Sequence, residues 1–182
     1  MPVKKRPLTD DRIILRPLNE RDDVLLYEAV RESLDELIPW LEFCHPNYSI
    51  KETHIWLKSR DKEWKAGTAY DFAIIDAGSG ALIGVGGLNH IIGEFKMANL
   101  GYWVRKTYMG KGIAVATVLL LARFGFEELE LNRIEIMADV DNKKSQRVAE
   151  KSGAKREGIM RRRLFIHGQV RDTVMFSLVP ET

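Results

Sequence analysis

The feature that most constrains this chain is a strand-like segment that runs directly into a glycine-containing loop and then into an apolar helix. The strand is predicted over Met97–Val104 and the helix over residues 113–129, with Gly110 and Gly112 in the loop between them. Unpaired N–H groups and the positive dipole end make a helix N-terminus a natural anion site. Glycine allows φ > 0 and lets a phosphate come close to the backbone. The segment therefore predicts an α/β unit with a site for a phosphorylated ligand.

Two common phosphate loops do not match this segment. A Walker A loop needs Gly where Arg105 stands and Ser or Thr where Gly112 stands. A Rossmann fingerprint needs Gly or Ala where Val115 stands, and it belongs to an N-terminal βαβ unit. A helix-opening turn that binds nothing is a third interpretation, which a Gly-x-Gly pattern by itself leaves open.

The rest of the chain predicts an α+β, or mixed α/β, fold in a single domain, residues 1–182. Ser49 and Glu52 form a capping box that begins the second helix, which ends near Gly67. The apolar side of the first helix is predicted to contain Val24, Leu25, Ala29 and Val30. Strands are predicted over residues 12–16, 70–76, 82–92, 97–104, 134–140, 155–165 and 170–178, and the other helical segments over 19–33, 34–38 and 144–152.

Composition and charge exclude several classes of function. Lys and Arg number 28 against 26 Asp and Glu, and this near-balance argues against a strongly basic nucleic-acid-binding face. The single Cys44 can form neither an intrachain disulfide nor a thiolate cluster, and the four His are scattered, so we expect no metal. The longest apolar run, residues 112–122, is too short to span a membrane, and no secretory leader opens the sequence. We therefore expect a cytoplasmic protein without membrane contact.

Motifs further along the chain give the glycine loop a context. Gly101-Tyr102-Trp103-Val104 and Gly110-Lys111-Gly112-Ile113-Ala114 are followed by Asn132-Arg133-Ile134, Asp141-Asn142-Lys143-Lys144-Ser145, Glu150-Lys151-Ser152-Gly153-Ala154 and Glu157-Gly158. In this order they resemble the GCN5-related N-acetyltransferase (GNAT) superfamily, and within it the Rim-type branch that acetylates ribosomal-protein N-termini. The resemblance implies a central, mostly antiparallel sheet of about seven strands flanked by helices, with a splayed parallel strand pair at the cofactor site. It also implies an enzyme that transfers the acetyl group of acetyl-CoA to a primary amine by direct attack on the thioester.

The same resemblance implies roles for individual residues. Ser145 assists the leaving thiolate, and a backbone N–H near Val104 binds the oxyanion. Arg105 and Lys111 are expected to meet the phosphates of acetyl-CoA, and Asn142 its pantetheine arm. Ser145 and Asn142 also fit a simpler interpretation as helix-cap residues. The expected cofactor-binding residues are Tyr102, Trp103, Val104, Arg105, Met109, Gly110, Lys111, Gly112, Ile113, Ala114, Asn142 and Ser145.

The general base is left open by the sequence. Family members often carry a carboxylate at the position of Asn99, and many carry a Tyr acid at the position of Ala149. We expect the base to be Glu42, on the acceptor side, with Glu94, Glu135 or a water relay as alternatives. An α-amine, with a pKa of about 7.7–8.0 against about 10.4 for lysine, needs less help from a base.

The expected partners are acetyl-CoA and an acceptor amine, with no direct nucleic-acid function. The acceptor is expected to be a protein N-terminus, through contact with a ribosomal protein. The same chemistry on a small amine, such as a polyamine, aminoglycoside or amino acid, and a CoA-binding regulatory module without turnover are the alternatives. The chain is expected to act as a monomer or homodimer. The basic cluster Arg161-Arg162-Arg163 is interpreted as a solvated strand, or as a contact for an acidic acceptor or for ribosomal RNA beside the target.

Overall fold

The computed structural model describes residues 3–180 and is built around one eight-stranded sheet with the order β1-β2-β3-β4-β5-β6-β8-β7. All neighbouring strands are antiparallel except β5 and β6, which are parallel. The short β1, which pairs with β2, adds one strand to the seven expected. The strands are β1 (Leu8–Thr9), β2 (Ile13–Pro17), β3 (Tyr70–Asp76), β4 (Leu82–Ile92), β5 (Met97–Val104), β6 (Arg133–Asp139), β7 (Lys155–Ile166) and β8 (Gln169–Leu178).

Four α-helices flank the sheet: α1 (Asp23–Leu37), α2 (Ile50–Ala66), α3 (Ile113–Glu127) and α4 (Lys143–Lys151). The predicted capping box is confirmed, because the Ser49 N–H donates to Glu52 Oε2 at 2.9 Å. The helix ends at Gly67, whose φ of 70° suits a left-handed C-cap. None of the helices within residues 3–180 is long and apolar enough to cross a membrane.

The apolar side predicted for the first helix is confirmed for Ala29 and Val30 and wrong for two other residues. Val24 and Leu25 were expected on the apolar side, but they are 49% and 50% exposed. A separate 3-10 turn at Glu20–Asp22, capped by Asn19, precedes α1, so Val24 and Leu25 lie in the first turn of the helix, on the side turned away from the sheet. The predicted piece at residues 34–38 is part of the same helix, which continues to Leu37. The face that packs on the sheet consists of Leu26, Ala29, Val30, Ser33, Leu34 and Leu37.

The core lies in two layers, one on each face of the sheet. Helices α3 and α4 cover one face, where Leu100 and Val104 of β5 join the core cluster. Helices α1 and α2 cover the other face, where Trp103 joins Leu26 and Leu57. Because successive side chains of a strand point to opposite faces, β5 contributes to both layers.

The strands β5 and β6 stay paired over only three positions, which end at Asn99 opposite Glu135. Beyond this point β5 keeps β4 as its neighbour and β6 keeps β8. A gap therefore opens between the second halves of β5 and β6, which we call the strand gap. This arrangement confirms the predicted parallel pair at the proposed cofactor site.

The closing hairpin joins β7 and β8 through His167 and Gly168, which both have positive φ, at 48° and 76°. Positive φ at both central residues is typical of the type I′ turn that the hairpin twist favours. The predicted hairpin is therefore confirmed. Its turn reaches the loop after α1, because His167 Nε2 lies 3.0 Å from the Ile38 carbonyl oxygen.

Candidate active site

The glycine loop ends in a row of unused backbone donors. Gly110 and Gly112 have φ of 77° and 78°, and Gly112 is the N-cap of α3. Ala116 donates the first backbone hydrogen bond of the helix, to the Gly112 carbonyl oxygen at 3.1 Å. Within residues 3–180, the six N–H groups of residues 110–115 have no protein acceptor. Free N–H groups at the positive end of a helix dipole fit the phosphates of coenzyme A.

Helix α1 holds this loop in place through its acidic side chains. Arg105 Nε donates to Glu32 Oε2 at 2.6 Å, and Thr107 Oγ1 donates to Glu32 Oε1 at 2.8 Å. The hydrogen bonds from Arg105 and Thr107 lower the pKa of Glu32, so this carboxylate stays charged at neutral pH. The Lys106 N–H donates to Ser33 Oγ at 3.0 Å. The structure therefore places Arg105 as an anchor between loop and helix, with its charge already paired.

Lys111 differs from the other cations of the loop. Lys106 Nζ pairs with Asp35 at 3.0 Å, as Arg105 pairs with Glu32. Lys111 forms no ion pair within the described part of the chain, and its Nζ lies 4.8 Å from the centre of the Tyr108 ring. Of the two cations predicted to meet phosphates, Lys111 has its charge available, and its role stays a prediction.

Several predicted contact residues contribute their side chains to the core. Trp103 is 9% exposed and packs in the layer under α1 and α2, and Met109 packs against the same layer. Ile113 and Ala114 belong to the layer of α3. For these residues a contact with acetyl-CoA rests on the backbone or on the small exposed part of the side chain.

The backbone of β5 presents donors to the strand gap. The Arg105 N–H donates to the Ile83 carbonyl oxygen at 2.7 Å, and Gly84 stands opposite Val104. Hydrogen-bonded and non-hydrogen-bonded pairs alternate along an antiparallel ladder, so the N–H of Val104 points away from β4. On that side β6 has already diverged, which leaves this N–H suited to the oxyanion role predicted for it.

The sequence left open whether Asn142 and Ser145 cap the helix α4 or contribute to the active site, and the structure distinguishes the two residues. Asn142 is the N-cap of α4, and its Oδ1 accepts the Ser145 backbone N–H at 3.0 Å. The Ser145 hydroxyl is therefore not the cap, and its Oγ lies 3.1 Å from the Tyr102 hydroxyl. Burial raises the pKa of Tyr102 to about 12, so its hydroxyl remains protonated at neutral pH. Tyr102 and Ser145 form a hydroxyl pair across the strand gap.

No sequence motif predicts this hydroxyl pair. Tyr102 was expected only as a cofactor contact, and the two residues lie 43 positions apart. The position at which many family members carry a Tyr acid is Ala149, which is fully buried in the core. Tyr102 thus brings a tyrosine hydroxyl next to Ser145, from the strand β5 rather than from the helix α4.

The three carboxylates considered as the base lie in different places. Glu42 is 60% exposed in the loop after α1, where it accepts a hydrogen bond from the His167 backbone N–H. Glu94 is exposed in a 3-10 turn after β4. Glu135 stands where the strand gap opens, and its Oε1 accepts from Arg133 Nε at 2.9 Å. Among residues 3–180, no group of three or more His, Cys, Asp or Glu could hold a metal ion.

Comparison with known proteins identifies the same family that the sequence motifs resemble. A family model described as the acetyltransferase (GNAT) domain matches residues 12–155. The chain is 35% identical over 173 residues to the Bacillus subtilis (strain 168) protein named "Putative ribosomal N-acetyltransferase YdaF", covering 93% of this chain and 92% of that protein. It is 28% identical over 188 residues to the [Ribosomal protein uS5]-alanine N-acetyltransferase of Escherichia coli (strain K12), covering 97% and 92%.

The fold is likewise shared with a solved structure. RimL, a ribosomal L7/L12 α-N-protein acetyltransferase in complex with coenzyme A, superposes with a TM-score of 0.88 at 23% identity, covering 96% of this chain and 98% of that one. At this identity the likeness supports the fold alone. The family model and the relatives that span nearly the whole chain lead to one conclusion: the chain belongs to the GNAT family and is an N-acetyltransferase that uses acetyl-CoA as its co-substrate.

Proposed function

We propose that the acceptor of this enzyme is the N-terminal α-amine of a protein, most directly a ribosomal protein. This proposal rests on two relatives that align with nearly the whole chain, because both are named as ribosomal N-acetyltransferases. The chemistry supports it, because an α-amine has a pKa about 2.5 units below that of lysine and loses its proton more readily.

Each part of the site has a role in this reaction. The N–H groups of residues 110–115 and Lys111 hold the phosphates of acetyl-CoA, and Asn142 supports the pantetheine arm from the start of α4. The Val104 N–H stabilises the negative charge that develops on the thioester oxygen. The Ser145 hydroxyl, backed by Tyr102, donates a hydrogen bond to the leaving thiolate.

The acceptor end of the site is formed by segments far apart in sequence. An open cleft of about 300 Å³ lies between the end of α1 and the start of α4, and its lining includes Trp40, Glu36 and Asn142. The loop after α1 also contacts the hairpin turn through Glu42 and His167. We assign the cleft to the first residues of the acceptor chain, because it borders the same Asn142 that supports the pantetheine arm.

Peptides test this proposal directly. One peptide carries a free N-terminus and a single lysine, its matched control carries the same lysine behind a blocked N-terminus, and spermidine represents small amines. Release of free thiol from acetyl-CoA should be at least about 10-fold faster with the first peptide than with either of the others. Equal release from both peptides would show that the lysine is the acceptor, and faster release with spermidine would favour a small amine.

A further inference from the structure

One buried oxygen at the strand gap lacks a partner. Asn99 lies between Ala98 and Leu100, which pack in the α3 layer, so its side chain is on the opposite face of the sheet. Its Oδ1 is one of two buried side-chain polar atoms of residues 3–180 without a hydrogen-bond partner. Leaving such an atom unpaired costs roughly 1–3 kcal/mol, so a donor is expected at this place when the enzyme is at work.

The orientation of this amide follows from its neighbours on β4. Asn99 Nδ2 donates to Asn89 Oδ1 at 2.9 Å, and His90 Nδ1 lies 2.7 Å from the same oxygen. Because the amide nitrogen is held toward β4, Asn99 Oδ1 is directed away from β4. An amide oxygen accepts a hydrogen bond but takes no proton at neutral pH.

A carboxylate that can take a proton stands opposite this amide. Glu135 is the register partner of Asn99 on β6 and points to the same face, since Ile134 and Ile136 pack in the α3 layer. Arg133 Nε donates to its Oε1, while its Oε2 has no donor within the described chain. The charged groups around it are Arg133 on its own strand and Glu157 and Lys155 on β7, and its register partner on β8 is the uncharged Ser177.

We infer that Glu135 takes the proton of the acceptor ammonium through one water molecule that donates a hydrogen bond to Asn99 Oδ1. This inference rests on the proposed function. The proton passes from nitrogen to water while the water gives one of its own to Glu135. The freed nitrogen lone pair forms the bond to the thioester carbon, and the carbon–sulfur bond of the adduct breaks. The nitrogen gives up its second proton, which passes by way of the Ser145 hydroxyl to the departing thiolate, so that an amide and the free thiol result. Glu135 then returns its proton to solvent.

The variant that tests this step is Glu135→Gln, which keeps the hydrogen bond to Arg133. At about pH 7 the α-amine arrives mostly protonated, and kcat/KM should fall about 100-fold, the lower end for a general base. At about pH 9.5 the amine arrives neutral, and the loss should shrink below about 10-fold. A purely structural role gives the same loss at every pH, and that result would overturn the inference.

Two further variants sharpen the test. Glu157→Gln removes the other carboxylate bound to Arg133, away from the strand gap, and should keep the wild-type rate at each pH. Asn99→Asp in the Glu135→Gln background places a carboxylate at the orphaned oxygen and should recover at least about 10-fold of the rate at pH 7. Failure of this rescue would contradict the placement of the water at Asn99. A wild-type enzyme that acetylates no peptide amine would refute the proposed function, whereas an active wild type with an equally active Glu135→Gln would refute only this inference.

Discussion

Replacing Ser145 by alanine separates catalysis from helix capping, because the structure assigns the cap to Asn142. The Ser145 backbone N–H that Asn142 Oδ1 accepts is unchanged by the substitution, so α4 keeps its cap. The loss is one hydroxyl contact with Tyr102, worth roughly 0.5–1.5 kcal/mol. For a chain of this size that free energy lowers Tm by only a few degrees.

The effect on turnover should be much larger than the effect on stability. A general acid contributes about 10²–10⁴-fold, and a hydroxyl that mainly donates a hydrogen bond belongs at or below the lower end, near 10²-fold. The loss should appear equally in kcat and kcat/KM, because the thiolate exists only late in the reaction. Binding of acetyl-CoA, measured by calorimetry, should change little.

The partner Tyr102 provides a second test of the same reasoning. Tyr102→Phe should lower kcat by a smaller factor, and the double variant should be no slower than Ser145→Ala alone, since the two hydroxyls act as a unit. Initial rates and thermal melts on the same preparations give all the values. A Ser145→Ala enzyme with wild-type kcat would remove the hydroxyl pair from the mechanism.

Two other predictions concern the phosphate site and the pH dependence of stability. Gly112→Val, at a φ of 78°, should abolish coenzyme A binding measured by calorimetry. The control Gly80→Val, at a φ of 72° in the β3–β4 turn, brings comparable backbone strain but should leave coenzyme A binding intact. Equal affinity of the two variants for coenzyme A would contradict the assignment of the glycine loop as the phosphate site. The Arg133 guanidinium lowers the pKa of Glu157 from an ordinary 4.5 to about 2, so this ion pair stabilises the fold above about pH 4.5 and the contribution is lost as pH falls toward 2. Thermal melts should therefore show Glu157→Gln less stable than wild type near pH 6, with the difference closing in acid; a difference that does not change with pH would be inconsistent with this ion pair.

Local patterns were sufficient for much of the fold. The bounds of β3, β4 and β5 match their predictions residue for residue, because each strand is flanked by turn residues or by a change of hydrophobic period. The start and end of α2 follow from Ser49 and Gly67, which act within one turn of the helix. The glycine loop could be found for the same reason, since its strand, glycines and helix are consecutive in sequence.

The tertiary structure decided which residues of these local elements are buried and which residues contact one another. Val24 and Leu25 look apolar in sequence but face solvent, because packing on the sheet selects which side of α1 is buried. Arg105 pairs with Glu32 at a separation of 73 residues, and Tyr102 meets Ser145 at 43. Asn99 faces Glu135 only because β5 and β6 are adjacent in the sheet. The sequence by itself determined the strands, the loop and the kind of ligand. The pairings that hold the loop, and those to which we assign proton transfer, depend on strand register and helix docking, which no short segment encodes.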